Sequence, residues 1–296
     1  MITIFCTPKN FEGIFDIIQK NAIRSWRSLS SEIEIIIFGD SLGAKDIADE
    51  VDAIYYPHVK CSKNGVPLLS DLFYRANILS SFNILTFINA DIILPGNFLK
   101  SVKIVDKQVS NFLTIGHRWD LDVKKEINFN KRETANLFWE MSKANSKKNS
   151  PAAIDFFVFK KNSLKKIPDF VIGRPGYDNW LIWYARRKLI SVIDISNDVK
   201  PIHQKHHYNF HNLQNDPKIT DRSKIKLEED GLYNRKLHGE KVLNILDANY
   251  LMIKGVIIKK KSKEFIYRNL GKLPIIFPEI SIPLRMYKKI YRMILY

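Results

Sequence analysis

Along the first two hundred residues, apolar positions switch repeatedly between dense short runs and a helical beat. ITIFCT (2–7) is dense enough for a buried strand, after which Phe11, Ile14, Phe15, Ile18 and Ala22 recur at helical spacing. EIIIFGD (34–40) reads as a second strand ending in Gly-Asp. A polar helical piece follows to Val51, then AIYY (53–56) as a short third strand. Leu69, Leu72, Phe73 and Ala76 mark another helix, and ILTFI (84–88) a fourth strand. Such βαβα alternation predicts an α/β chain with a mainly parallel sheet and helices on both faces. In that arrangement ligands gather at the carboxyl ends of the strands. Asp40 and Asn89-Ala90-Asp91 both fall at such ends.

After Pro95 the order changes. A helix near 98–105 leads to FLTIGHRWD (112–120), a polar stretch, a helix around 133–142 and the strand-like IDFFVFKK (154–161). In IPDFVIGRPGYDNWLIWYARRK (167–188), Pro175-Gly176 makes a turn and Asp178 stands at an expected helix N-cap. WLIWYA continues as a buried helix. SVIDIS (191–196) returns as a strand, followed by four histidines in nine residues, His203, His206, His207 and His211. From about Leu227 the chain is basic and proline-containing, without a clear core of its own.

Composition adds limits. With 296 residues, 45% hydrophobic and 26% charged, the chain has the make-up of a globular protein, long enough for one large domain with an appendage or for two domains. Cys6 and Cys61 show no CxxC spacing, which argues against a structural zinc site and suits a reducing cytosol, though two thiols could still pair. No signal-peptide pattern opens the sequence, and no uncharged apolar run reaches the roughly 18 residues of a membrane span. The net charge of +16 is unevenly spread: residues 241–296 hold 12 basic and 3 acidic residues, or +9 of the total. In a helix, Arg285, Lys288, Lys289 and Arg292 fall on one face and Met286, Ile290, Met293 and Ile294 on another. That pattern suits either an anionic membrane surface or a terminal helix packed on its own domain. A nucleic-acid partner is not expected, because the charge gathers at one end and no recognition motif is present.

The chemistry centres on ILTFINADIILPG (84–96). A carboxylate is costly to bury unless it is paired or binds a metal, so Asp91 belongs where the strand leaves the core. A strand ending in Thr7-Pro8, a second ending in Asp40, a fourth ending in Asn89-Ala90-Asp91, and the downstream Gly176-Tyr177-Asp178-Asn179-Trp180 together resemble glycosyltransferases of the GT-A fold, of the family-two type. The likeness covers about 1–212 and leaves 213–296 as a C-terminal extension with a basic amphipathic tail. It implies a Rossmann-like α/β/α sandwich and a nucleotide-diphosphate sugar donor. It also implies a glycan or lipid-linked acceptor, Mn²⁺ or Mg²⁺ as cofactor, and work in polysaccharide biosynthesis in the cytoplasm or on the inner face of the membrane.

The residue roles carried by that resemblance are specific. Asp91 matches the last position of the family's Asp-x-Asp motif and so the metal ligand. Asn89 departs from it, which weakens the case for metal but leaves an amide able to bond a ribose or a metal-bound water. Thr7, Pro8 and Asp40 are implied near the nucleoside, and His203 or His206 as completing the metal or diphosphate site. Asp178 matches the general base of inverting members, which takes a proton from the acceptor hydroxyl. Asp155, Arg118 and Trp180 are acceptor-side expectations. Asp120-Leu121-Asp122 is a literal Asp-x-Asp, but it lacks an apolar run on its far side and ranks second, as an exposed-loop or acceptor-side feature. Two other classes remain open. A nucleotidyltransferase would share metal carboxylates, yet no Gly-rich phosphate loop follows the first strand; a non-catalytic carbohydrate- or nucleotide-binding protein could keep Asp91 as a relic.

Overall fold

The structure, a computed structural model, describes residues 1–206 and 221–280, with no side chains described at 221–225. In chain order it runs β1 (Thr3–Cys6), α1 (Ile14–Leu29), β2 (Glu34–Phe38), α2 (Ala44–Glu50), β3 (Ile54–Tyr56), α3 (Leu69–Leu79), β4 (Ile84–Ile88), β5 (Ile92–Ile93) and α4 (Phe98–Gln108). There follow β6 (Phe112–Ile115), β7 (Trp119–Leu121), α5 (Arg132–Asn145), β8 (Lys147–Lys148), β9 (Phe156–Lys160), α6 (Tyr177–Arg187), β10 (Ser191–Asp194) and β11 (Ile202–Gln204). Past the undescribed segment come α7 (Asp221–His238), β12 (Tyr250–Ile253), β13 (Val256–Lys259) and α8 (Lys263–Ile276).

Nine strands form the central sheet in the order β13-β12-β10-β6-β9-β4-β1-β2-β3. The strands from β4 to β3 are parallel, as are β6, β10 and β12; only β9 and the hairpin strand β13 run against their neighbours. Because strand side chains alternate, each strand feeds two cores. Phe5, Ile36, Phe38, Leu85, Phe87, Phe157 and Phe159 point to the layer of α3 and α6, whereas Ile4, Ile35, Ile37, Ile84, Ile88 and Val158 meet α1, α2 and α4. The result is the expected α/β/α sandwich with a mainly parallel sheet. On the first face the rings of Phe5, Phe73, Phe87 and Phe159 lie 5.1–6.3 Å apart, each such pair contributing about 0.5–1.5 kcal/mol beyond its buried area.

A second, four-stranded sheet has the order β5-β11-β7-β8 and its own small core of Ile93, Leu121, Val123, Phe129, Phe138 and Ile202. The continuous stretch 112–120 is therefore two strands in two sheets. The chain turns between them at Gly116, where a Cβ would press within 2.9 Å of the Phe156 ring. In the C-terminal region, β12 pairs in parallel with β10. Ile276 of α8 is buried in the α3/α6 layer, and Trp183 donates to the Ile275 carbonyl at 2.8 Å. Cys6 is buried and Cys61 exposed, and both are free thiols. The boundary at 212, His207, His211 and the basic run 281–296 lie outside the described residues.

Candidate active site

The site forms because several chain segments end at the same sheet edge. β1, β4 and β6 all run toward it, and β9 starts from it because β9 is antiparallel. The pairing of Ile88 with Phe156 brings Asn89 beside Asp155, whose carbonyl accepts the Asn89 backbone N–H at 2.9 Å. Thr7, Pro8 and Lys9 follow β1, and Arg118 lies just past β6. A cleft of about 440 Å³ opens between them, lined also by Asp91, Arg174, Tyr177, His203 and His206. Cavities of similar size elsewhere are lined by charges already paired with each other: Arg24 with Glu50 and Glu126 in one, Lys63 with Glu229 in another.

The smaller sheet builds the metal-like corner. Asp91 directly precedes β5, Ile92 pairs with His203 on β11, and His203 pairs with Asp120 on β7. Adjacent strands thus set three side chains in a row. His203 Nδ1 lies 3.0 Å from Asp120 Oδ1, and its Nε2 lies 3.5 Å from Asp91 Oδ2. His206 Nε2 approaches the same Asp91 oxygen at 3.2 Å, while Asp91 Oδ1 and His206 Nδ1 are buried without a hydrogen-bond partner. Ligand atoms of Asp91, His203 and His206 all lie within 4.8 Å of one another. A convergent carboxylate and two imidazoles, with an orphaned carboxylate oxygen, fit a divalent cation.

Electrostatics bind the corner together. Burial would raise Asp91, but His203 and His206 bring it well below the usual carboxylate range. Burial would likewise lower His203, yet Asp91 and Asp120 outweigh it and push it up to about 9. Gln204 secures the loop from below: its Nε2 donates to the carbonyls of Ile18 and Asp91, and its side-chain oxygen accepts from Asn21.

The opposite wall is an acid–amide network. Asn89 Nδ2 donates to Asp155 Oδ1 at 2.8 Å, and Arg118 reaches Asp155 Oδ2 at 3.1 Å and Asp120 Oδ1 at 3.3 Å. The Tyr177 hydroxyl donates to Asn89 Oδ1 at 3.4 Å. Arg174, from the loop before α6, is held 3.6 Å from the buried Asp230 of α7. Lys9, Arg118 and Arg174 bring three cationic side chains to the cleft wall, of which Arg118 engages Asp155 and Asp120 and Arg174 engages Asp230.

Asp178 sits in the first turn of α6, one residue behind Tyr177, and the N-cap itself is Gly176 in a left-handed conformation. The expected N-cap role passes to Gly176 because a φ of 105° is open to glycine. Asp178 Oδ1 accepts the Asn179 N–H at 2.9 Å. Burial pushes its carboxyl up to about 7, against the pull of backbone N–H groups and with help from Asp155. That value suits a general base near neutral pH.

Asp178 itself is not among the residues lining the cleft, although its neighbour Tyr177 is, and other expected residues lie apart from this cluster. Asp40 is exposed beyond β2, and Trp180 is 4% exposed, stacked on Tyr184 at 4.8 Å within the core rather than lining the cleft. Its position follows from helical spacing: Trp180 and Tyr184 are four apart on the buried face of α6. Lys9 and Arg174 were not candidates in the sequence; Tyr177 lies inside the Gly-Tyr-Asp-Asn-Trp motif without a role of its own there, and Asp120 stood out only as part of a literal Asp-x-Asp, its contact with His203 being set by strand register.

No protein-family model and no curated protein matches the chain. Among solved structures it is similar to the glucosyl-3-phosphoglycerate synthase of M. tuberculosis, with a TM-score of 0.47 and 13% identity over 82% of this chain and 80% of that one. A structure of the same enzyme with Mn²⁺, UDP and phosphoglyceric acid gives 0.44 and 13% over 75% and 80%. Residues 1–349 of S. aureus TarS in complex with UDP-GlcNAc give 0.45 and 9% over 79% and 72%. At these values the likenesses by themselves assign no activity to this chain.

Proposed function

We propose that the chain is a glycosyltransferase of hexosyltransferase type that moves a sugar, with inversion, from a nucleotide-diphosphate sugar to a glycan or lipid-linked acceptor. The observation that supports this most is the convergence of Asp91, His203 and His206 at the carboxyl edge of a mainly parallel sheet, in a cleft also lined by Lys9, Arg118 and Arg174. Asp91 and His203, with His206, would hold Mn²⁺ or Mg²⁺, and a bound cation would supply positive charge to the departing diphosphate. Thr7, Pro8 and Asn89 would flank the donor. Asp40, exposed past β2, would meet only a base that extends beyond the cleft. Asp155 and Arg118 would position the acceptor, and Asp178 would take the proton from its hydroxyl. That oxygen attacks the anomeric carbon as the carbon–oxygen bond to the diphosphate breaks, and the bonding electrons leave with the diphosphate.

Screening nucleotide sugars for thermal stabilisation, with and without Mn²⁺, identifies the donor. Release of nucleoside diphosphate from that donor should be abolished by Asp91→Ala. Full turnover by this variant would remove Asp91 from the mechanism. Release of pyrophosphate instead would indicate nucleotidyl transfer, and donor binding without turnover a non-catalytic binder.

A further inference from the structure

The donor chemistry of the Asp91 corner carries a narrower statement, which rests on reading that corner as a metal site. We propose that the Asp91–His203–His206 centre selects nitrogen-seeking divalent transition-metal ions over Mg²⁺, with Asp120 as the positioning residue that aims His203 at the ion. Two of the three convergent ligand atoms are imidazole nitrogens, and the third is a carboxylate oxygen. A second carboxylate is missing because residue 89 is asparagine. Its side chain is moreover turned to the other wall, its amide nitrogen on Asp155 and its oxygen accepting from Tyr177. Mg²⁺ seeks a near-octahedral shell of oxygens, whereas imidazole suits later first-row ions and affinity rises from Mn²⁺ to Co²⁺.

Asp120 fixes the geometry from outside the ligand set. It is the register partner of His203, accepts from Nδ1 at 3.0 Å, and so leaves Nε2 facing Asp91. Its own carboxylate is tied down by the Asn149 amide and by Arg118. An outer carboxylate of this kind orients a ligating histidine and raises its basicity.

Calorimetric titration of the chelator-stripped full chain with Mg²⁺, Mn²⁺ and Co²⁺ tests the order. Co²⁺ should bind tighter than Mg²⁺ by roughly an order of magnitude or more, with Mn²⁺ between them. The Co²⁺ complex should show visible ligand-field bands that are lost in His206→Gln, a residue past the end of β11. Asp120→Asn should weaken Co²⁺ binding by about 10- to 100-fold while leaving the far-UV spectrum of the ion-free chain in place. Equal or tighter Mg²⁺ binding, or an Asp120→Asn variant with unchanged Co²⁺ affinity, overturns the proposal while leaving a metal site standing. Absence of binding by every ion removes the metal centre itself. The wild-type ion order reads the selectivity even if a variant does not fold.

Discussion

At the scale of single residues, Asp178 shows how environment sets chemistry. An aspartate in the first turn of a helix is ordinarily a good anion, because backbone N–H groups and the helix dipole stabilise its charge. Here burial outweighs those groups and the carboxyl is raised to about 7. If Asp178 is the base, kcat/KM should rise with pH through about 7, and Asp178→Asn should cost about 10²- to 10⁴-fold and abolish that limb. Stability carries the opposite sign. The folded state holds the Asp178 proton up to about pH 7, whereas the unfolded chain releases it near 3.8, so the wild type loses stability as pH rises through that window. Asp178→Asn has no such loss, and its melting temperature relative to wild type should climb between about pH 4 and pH 7.

At the scale of elements, the site depends on how helices are pinned to strands. Trp26 of α1 donates its indole N–H to the Ile92 carbonyl of β5 at 2.8 Å, holding the strand that follows Asp91. Trp26→Phe leaves that buried carbonyl unpaired and should cost about 1–3 kcal/mol, measured by denaturant unfolding. The start of α6 is equally constrained. Gly176 has a φ of 105°, and a Cβ there would collide with the His238 ring at the end of α7. Gly176→Ala should destabilise by about 1–3 kcal/mol, and His238→Ala in the same chain should recover only the steric part, because the backbone strain remains.

At the scale of the whole molecule, the described residues contain no helix long and apolar enough to cross a membrane. Of the two readings of the basic segment 281–296, contact with an anionic membrane surface or packing on its own domain, the first is open to a direct test. The structure indicates where to cut. Helix α8 is integral to the fold through Ile276 and the Trp183–Ile275 bond, so a truncation after Ile280 spares it. That chain should melt and bind metal like the full one but lose sedimentation with anionic vesicles, and the full chain's binding should weaken as salt rises. Equal, salt-insensitive binding by both would free the tail of that role.

The sequence by itself determined the alternation of elements, because burial on one or two faces leaves a period of two or 3.6 in the apolar positions. ILTFI coincides with β4 residue for residue, and the strand-end location of Asn89-Ala90-Asp91 followed from it. Asp91 was a candidate from its place at the strand end together with the family resemblance, and His203 from that resemblance. Tertiary structure decided which of the candidates meet. It split 112–120 between two sheets, turned Trp180 into the core, and drew Asp120 from a surface expectation to the back of His203 across a parallel register. It also tied Asn89 to Asp155. Pairing between strands is set by hydrogen bonds and packing among segments that can lie far apart in the chain, as Ile92 and His203 do, and no local pattern in one chain segment records the identity of its partner.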